Sequence, residues 1–206
     1  MATIEFYFDF LSPYSYLANI QIAALREQPG VEIRFHAIDL EAARNAIGNN
    51  RPASHLLPKK LHYLKADLSR WSAKYRVPLI FPDNLASYDS QSAARLNRGF
   101  IVAARDGAGE QYRKAAFSAL WVDSRAPGDA TLATVASAAG LKPAELRAAV
   151  DSPEVIAAFD RENREAHSRG VFGVPSFIVD DQLFWGNDRI DFVTEYLRDP
   201  AVAVHP

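Results

Sequence analysis

The 206-residue sequence contains no cysteine. That absence excludes a disulfide, a thiolate nucleophile and a thiolate-held metal, so any sulfur chemistry has to come from a bound ligand. A charge of one sign is also missing. With 23 Lys and Arg against 25 Asp and Glu the formal net charge is −2, without the basic surplus that marks nucleic-acid binders. Small or neutral partners are expected instead, and no nucleic acid. No apolar run approaches the roughly 18 to 20 residues that span a bilayer, and the opening "MATIEFYFDF" has neither a basic stretch nor a small-residue cleavage site. The expectation is a cytoplasmic protein with no membrane partner. The five histidines show no metal-ligand spacing, and no G-x-S-x-G surrounds Ser12, so a metal centre and a serine hydrolase lack their usual signs.

Hydrophobic residues make up 49% of the chain, enough for a substantial core at this length. Residues Thr3 to Asp9 alternate Ile4, Phe6 and Phe8 with Glu5, Tyr7 and Asp9, the period of a strand. Ser12 then offers an N-cap and Pro13 a first helical residue, for a helix to about Gln28 with Leu17, Ile20 and Ala24 on its apolar face. Val31 to Ile38 alternates again, which makes a parallel βαβ unit. From Leu40 to about Val150 the sequence is alanine-rich and helix-periodic. The expected helices are Leu56 to Tyr75, Ser87 to Arg105, Gln111 to Val122, Thr131 to Ala139 and Pro143 to Val150. A long helix, Pro153 to Arg169, leads through "GVFGVP" to a strand at Ser176 to Asp180, a hairpin partner in "LFW", and a closing helix that buries Ile190, Val193 and Leu197. This order predicts an α/β thioredoxin-like fold with a large inserted all-helical subdomain. The frame is expected from residues 1–45 plus 152–206, and the helical domain from 46–151.

Three stretches carry chemistry. At a helix start, Ser12 lies beside unpaired backbone N–H groups and the positive end of the helix dipole, although its position alone first reads as a cap. In a thioredoxin-like frame the Val174-Pro175 bond of "FGVPSF" is expected to be cis. Its use would be to expose the backbone N–H and C=O of Val174 to an extended ligand. "WGNDR" reads as another helix start capped by Asn187 or Asp188, where a ligand carboxylate meets N–H groups and Asp188 meets an ammonium. "GNNRP", Gly48 to Pro52, reads by itself as a polar linker.

Taken together, "FYFDFLSPYSYLA", "IGNNRPA" followed by "LPKKLHYL", "VFGVPSF" and "FWGNDRIDF" resemble the 2-hydroxychromene-2-carboxylate isomerases and the related kappa-class glutathione transferases, in order over nearly the whole chain. In that resemblance Ser-Pro-Tyr-Ser stands where disulfide oxidoreductases of the same frame carry Cys-x-x-Cys, with Ser15 at the second thiol position. The resemblance implies a glutathione site. Ser12 would bond the cofactor sulfur, Val174 and Pro175 would present the backbone edge, and Asn187 and Asp188 would hold the γ-glutamyl end. Asn49, or Asn50 one residue on, and Lys60 would line the site. It further implies a homodimer acting on a small aromatic carboxylate, with Tyr14, Tyr88, Trp71 and Trp185 available to stack on its ring and Lys60, Arg51 or Arg189 to meet its carboxylate. A kappa-like transferase shares the whole cofactor site. A non-catalytic peptide-binding module on the same frame is the alternative of another class.

Overall fold

Alternation along strand β1 (Ala2–Phe8) sends Ile4, Phe6 and Phe8 to one face of a sheet and Glu5 and Tyr7 to the other. The computed structural model describes residues 2–49, 51–85, 88 and 90–202. Helix α1 (Pro13–Arg26) follows β1 and crosses to β2 (Val31–Ala37), which pairs parallel with β1 from Ala2 opposite Val31 to Phe8 opposite Ala37. Strand β3 (Ser176–Val179) pairs antiparallel with the other side of β1, and β4 (Gln182–Trp185) pairs antiparallel with β3, giving the sheet order β2-β1-β3-β4. Between β2 and β3 run α2 (Leu40–Ala46), α3 (Pro58–Tyr75), α4 (Ser90–Arg105), α5 (Gly109–Trp121), α6 (Asp129–Ala138), α7 (Pro143–Ala149) and α8 (Pro153–Ser168); α9 (Ile190–Arg198) closes the fold. This is a thioredoxin-like sheet with helices inserted between its second and third strands, as the sequence predicts. No helix among the described residues is long and apolar enough to cross a membrane.

Two differences from the sequence expectation have local causes. Helix α1 buries Leu17, Ala18, Ile22 and Leu25, whereas Ile20 is half-buried and Ala24 exposed. The residues at spacings of four and three from Ala18 face the sheet, so the apolar stripe lies to one side of the expected one. Helix α2 was not expected. It is only seven residues long, and Asp39 starts it by accepting the N–H groups of Glu41 (2.8 Å) and Ala42 (3.0 Å). The expected start of α4 at Ser87 falls outside the described residues.

The sheet and the inserted helices share one hydrophobic cluster. Phe6 stacks on Phe177 with centroids 4.9 Å apart, Phe8 meets the edge of Phe100 at 5.2 Å, and Phe10 meets Phe117 at 4.9 Å. The opposite face of the sheet packs Tyr7 and Ile178 against Ala43 of α2 and Ala166 of α8. His36 lies on that face between Glu5 and Glu162 and stacks on Tyr7.

Buried polar contacts fasten the turn between β1 and α1 to the helical block. Asn97 of α4 accepts the Phe10 N–H at 3.3 Å and donates to the Ile38 carbonyl at 3.1 Å, and the Trp121 indole of α5 donates to the Phe10 carbonyl at 2.8 Å. The Asp9 carboxylate accepts Leu11 N–H (2.9 Å) and Leu40 N–H (3.0 Å). A buried bond of this kind adds about 0.5 to 1.5 kcal/mol, but leaving one partner unpaired costs about 1 to 3 kcal/mol.

Helix α4 approaches α5 closely at Gly99, where a Cβ would strike the Tyr112 hydroxyl, which itself donates to the Leu96 carbonyl at 3.0 Å. Tyr112 is fully buried and has nowhere to retreat. Gly99→Ala is therefore expected to destabilise the fold by about 1 to 3 kcal/mol in urea unfolding, the usual penalty for overpacking, despite the better helix propensity of alanine.

Candidate functional site

The start of α1 is built as its sequence dictates. Ser12 has extended backbone angles (φ −90°, ψ 113°), its Oγ accepts the Ser15 N–H at 3.2 Å, and Pro13 occupies the first turn, where its missing N–H leaves nothing unpaired. A hydroxyl accepts and donates at once, so this capping bond leaves the Ser12 proton available to another acceptor. Ser12 is only 4% exposed, and Ser15 is fully buried with its Oγ unpartnered among the described residues.

Beside this helix start lies a cavity of about 290 Å³, with Tyr14, Trp71, Val174, Pro175, Trp185 and Asp188 among its lining residues. The Val174-Pro175 bond is cis, and among the described residues neither backbone group of Val174 has a hydrogen-bond partner. Pro175 is tied from the other side, its carbonyl accepting the Gly186 N–H at 2.9 Å. Gly186 has φ +122°, and a Cβ there would come within 2.5 Å of Asp188 Oδ1, so the approach to Asn187 and Asp188 requires glycine. Gly173 makes room in the same way for the Trp185 indole, whose Nε1 would lie 2.8 Å from an added Cβ.

The cavity thus gathers Val174, Pro175, Asn187 and Asp188 next to the turn that carries Ser12. Residues 187–189 form a single tight turn, and α9 begins at Ile190 with no side-chain cap, so Asn187 and Asp188 do not cap it as expected. Both are released for other uses. Asp188 pairs with Arg189 at 2.8 Å; Asn187 is buried, and its Nδ2 makes no well-formed hydrogen bond among the described residues, although its side chain interacts weakly with the Tyr75 hydroxyl. Asn49 closes α2 by donating its N–H to the Arg44 carbonyl (3.0 Å), and Lys60 is exposed on the first turn of α3; neither lines the cavity. Asn50 falls outside the described residues.

One contributor had no signal in the sequence. Asp67 of α3 lines the cavity and accepts the Tyr14 hydroxyl at 2.8 Å. Burial, reinforced by that carboxylate, holds the Tyr14 hydroxyl above its ordinary range, so it stays a proton donor at neutral pH. An exposed-looking acid one helical turn before Trp71 is indistinguishable from surface until α3 is docked on α1. The buried Asn187 Nδ2, the free Val174 edge and the acidic turn at Asp188 fit an extended ligand with an amino-acid end, which is what a γ-glutamyl peptide such as glutathione presents. Among the described residues no cluster of His, Asp and Glu is arranged to hold a metal ion.

Residues 3–198 match the DSBA-like thioredoxin domain. A 2-hydroxychromene-2-carboxylate isomerase of Sphingobium xenophagum is 41% identical over 198 residues, covering 96% of this chain and 98% of the relative. The chain belongs to the 2-hydroxychromene-2-carboxylate isomerase family, within the DSBA-like thioredoxin domains. A solved structure of an isomerase of that name superposes with a TM-score of 0.87 at 35% identity, covering 97% of this chain and 96% of the other. More distantly, glutathione S-transferase kappa 1 of Caenorhabditis elegans is 27% identical over 221 residues, covering 96% of this chain and 91% of the relative.

Beneath the Ser12 turn of this family member, burial pushes the Asp9 carboxyl up from 3.8 to about 6, against the pull of the two N–H groups it accepts. The folded chain holds this proton more tightly than the unfolded chain does. Asp9 thus favours folding most below about pH 4, and that contribution is lost as pH rises to about 6, a swing of about 3 kcal/mol. The stability difference between wild type and Asp9→Asn, followed by urea unfolding from about pH 4 to about pH 7, is expected to fall by that order. A difference that stays flat across the range would show that Asp9 titrates alike in both states.

Proposed function

We propose that this chain interconverts 2-hydroxychromene-2-carboxylate and trans-o-hydroxybenzylidenepyruvate with glutathione as its cofactor. The observation that carries the reading is a cavity that brings together Tyr14 in the first turn of the helix capped by Ser12, a free backbone edge at Val174 and an acidic turn at Asp188, in a chain without cysteine; Ser12 itself is buried and not among the lining residues. Membership of the isomerase family supports it independently.

The reaction opens a cyclic hemiketal and turns the product about a conjugated carbon–carbon bond that does not rotate while it is double. When bound, glutathione supplies a thiolate that adds reversibly to the conjugated carbon and leaves again, so that rotation occurs while the bond is single. Ser12 donates its hydroxyl proton to that sulfur, and the positive end of α1 favours the anion. The Val174 backbone pairs with the cysteinyl residue in β-fashion, while Asn187 and Asp188 take the γ-glutamyl end. Asn49 and Lys60 would line the same site in this reading, which for these two rests on the family resemblance alone, since neither lines the cavity. Tyr14, Trp71 and Trp185 give the aromatic substrate an apolar wall, with the Tyr14 hydroxyl proton held by Asp67. Arg189, on the cavity wall, is paired with Asp188 at 2.8 Å and meets the substrate carboxylate once Asp188 takes the ammonium of the ligand. In this reading residues 1–45 and 152–206 form the glutathione-binding domain, 46–151 the helical domain over it, and the protein works as a cytoplasmic homodimer.

A kappa-like transferase reaction is favoured by the relation to glutathione S-transferase kappa 1, and the products separate the two readings. Recovery of free glutathione with isomerised substrate means isomerase, and a stable conjugate means transferase. For the isomerase, omission of glutathione is expected to reduce turnover to near the uncatalysed rate. Lowering a thiol pKa by about 2 units is worth about 2.7 kcal/mol, so Ser12→Ala is expected to cut kcat/KM at neutral pH by about 10- to 100-fold. Turnover independent of glutathione, or a Ser12→Ala enzyme as fast as wild type, contradicts the assignment.

A further inference from the structure

A second cavity, of about 510 Å³, lies further along α1, between that helix and α5, and shares no lining residue with the cavity at Val174 and Asp188. Ile20, Ile22, Phe117 and Val122 give it apolar walls. Its polar inventory is unusual. Arg113 of α5 lines it although only 2% exposed, with its guanidinium 4.0 Å from the centroid of the Phe35 ring. Among the described residues that guanidinium has no hydrogen bond and no ion pair, and its Nε is buried and unpartnered.

The one nearby carboxylate is already committed. Glu110 pairs with Arg26 at 2.9 Å and with Lys114 at 2.7 Å, and all three also line the cavity. Three cations therefore face one anion, and the cation left over is the most deeply buried. Burial lowers the Arg113 pKa to about 10, which still leaves it fully charged at neutral pH. A buried charge without a counter-charge is costly even over an aromatic ring, and a bound anion would supply the missing partner. Opposite, Asn19 of α1 lines the cavity with its Oδ1 buried and unpartnered, an acceptor that lacks a donor.

We propose that this cavity is a second small-molecule site, which takes an aromatic carboxylate bearing a hydroxyl group. Its carboxylate pairs with Arg113, its hydroxyl donates to Asn19 Oδ1, and its ring lies on the apolar walls. The volume suits a small aromatic ligand, for which cavities of about 300 to 1,000 Å³ are usual. Because α1 runs from this cavity to Ser12, a ligand here rests on the same helix that caps the proposed reaction centre. The site stands on its own residues and does not depend on the reaction assigned to the other cavity.

The test is isothermal titration of the full-length protein with the three hydroxybenzoates and with benzoate, in the presence and absence of saturating glutathione. At least one hydroxybenzoate is expected to bind 5-fold or more tightly than benzoate, with glutathione making no difference. Asn19→Ala should erase that preference, and Arg113→Met should weaken every carboxylate 10-fold or more. Removing an unpaired buried charge should also raise the Tm of Arg113→Met. Should that variant fail to fold, Ser118→Trp, which fills the cavity from α5, is expected to abolish binding instead. Absence of binding to the wild type, displacement by glutathione, or unchanged affinity in the folded variants overturns the proposal. So does loss of a dimer in Ser118→Trp without ligand binding by the wild type, which would assign this face to a second copy of the chain.

Discussion

Everything at the proposed reaction centre hangs on the four residues between β1 and α1. Inside the turn the Ser12 N–H donates to the Asp9 carbonyl at 3.0 Å, and further contacts come from elsewhere in the chain. The Phe10 N–H and C=O are taken by Asn97 and Trp121, side chains from two different inserted helices, and Asp9 holds Leu11 on one side and Leu40 on the other. Because these contacts are buried, misplacing the turn would strand several polar groups at once, and the position of Ser12 inherits that rigidity. The helical block is therefore more than a cover over the sheet. It supplies the clamps that fix where the N-terminus of α1 points.

This arrangement explains how a chain without cysteine can belong to a thioredoxin-like family. The frame offers a helix N-terminus and, beside it, a backbone edge ending in a cis proline. With a cysteine at the helix start, the N–H groups and dipole would stabilise the protein's own thiolate. In the proposed reading, with Ser12 there, they serve a sulfur brought by a ligand, and the serine adds a proton donor. The neighbouring turn at Gly186 to Arg189 holds an acid paired only with the adjacent Arg189 and a buried amide whose Nδ2 makes no well-formed hydrogen bond among the described residues.

Much of this was legible in the sequence because local chemistry and tertiary demand agree there. The alternation in β1, the Ser12-Pro13 helix start, the cis bond at Val174-Pro175 within its glycine-flanked loop and the final hairpin all stand as read. What could not be read depended on docking. Helix α2 is too short for periodicity to announce it, and the buried side of α1 is decided by the angle at which the helix meets the sheet. The capping role expected of Asn187 and Asp188 gave way to a tight turn, since Gly186 bends the chain before a helix can begin. Asp67, Asn97 and Trp121 act across 53, 87 and 111 residues of chain, and a pattern confined to a local window contains no trace of them.

The central claim is that the α1 terminus and Ser12 hold a borrowed sulfur as its anion. Ultraviolet titration of the thiolate absorbance of glutathione bound to the protein measures this directly. The account predicts a midpoint about 2 pH units below that of free glutathione, with most of the shift gone in Ser12→Ala. A bound thiol that titrates like the free one would contradict it.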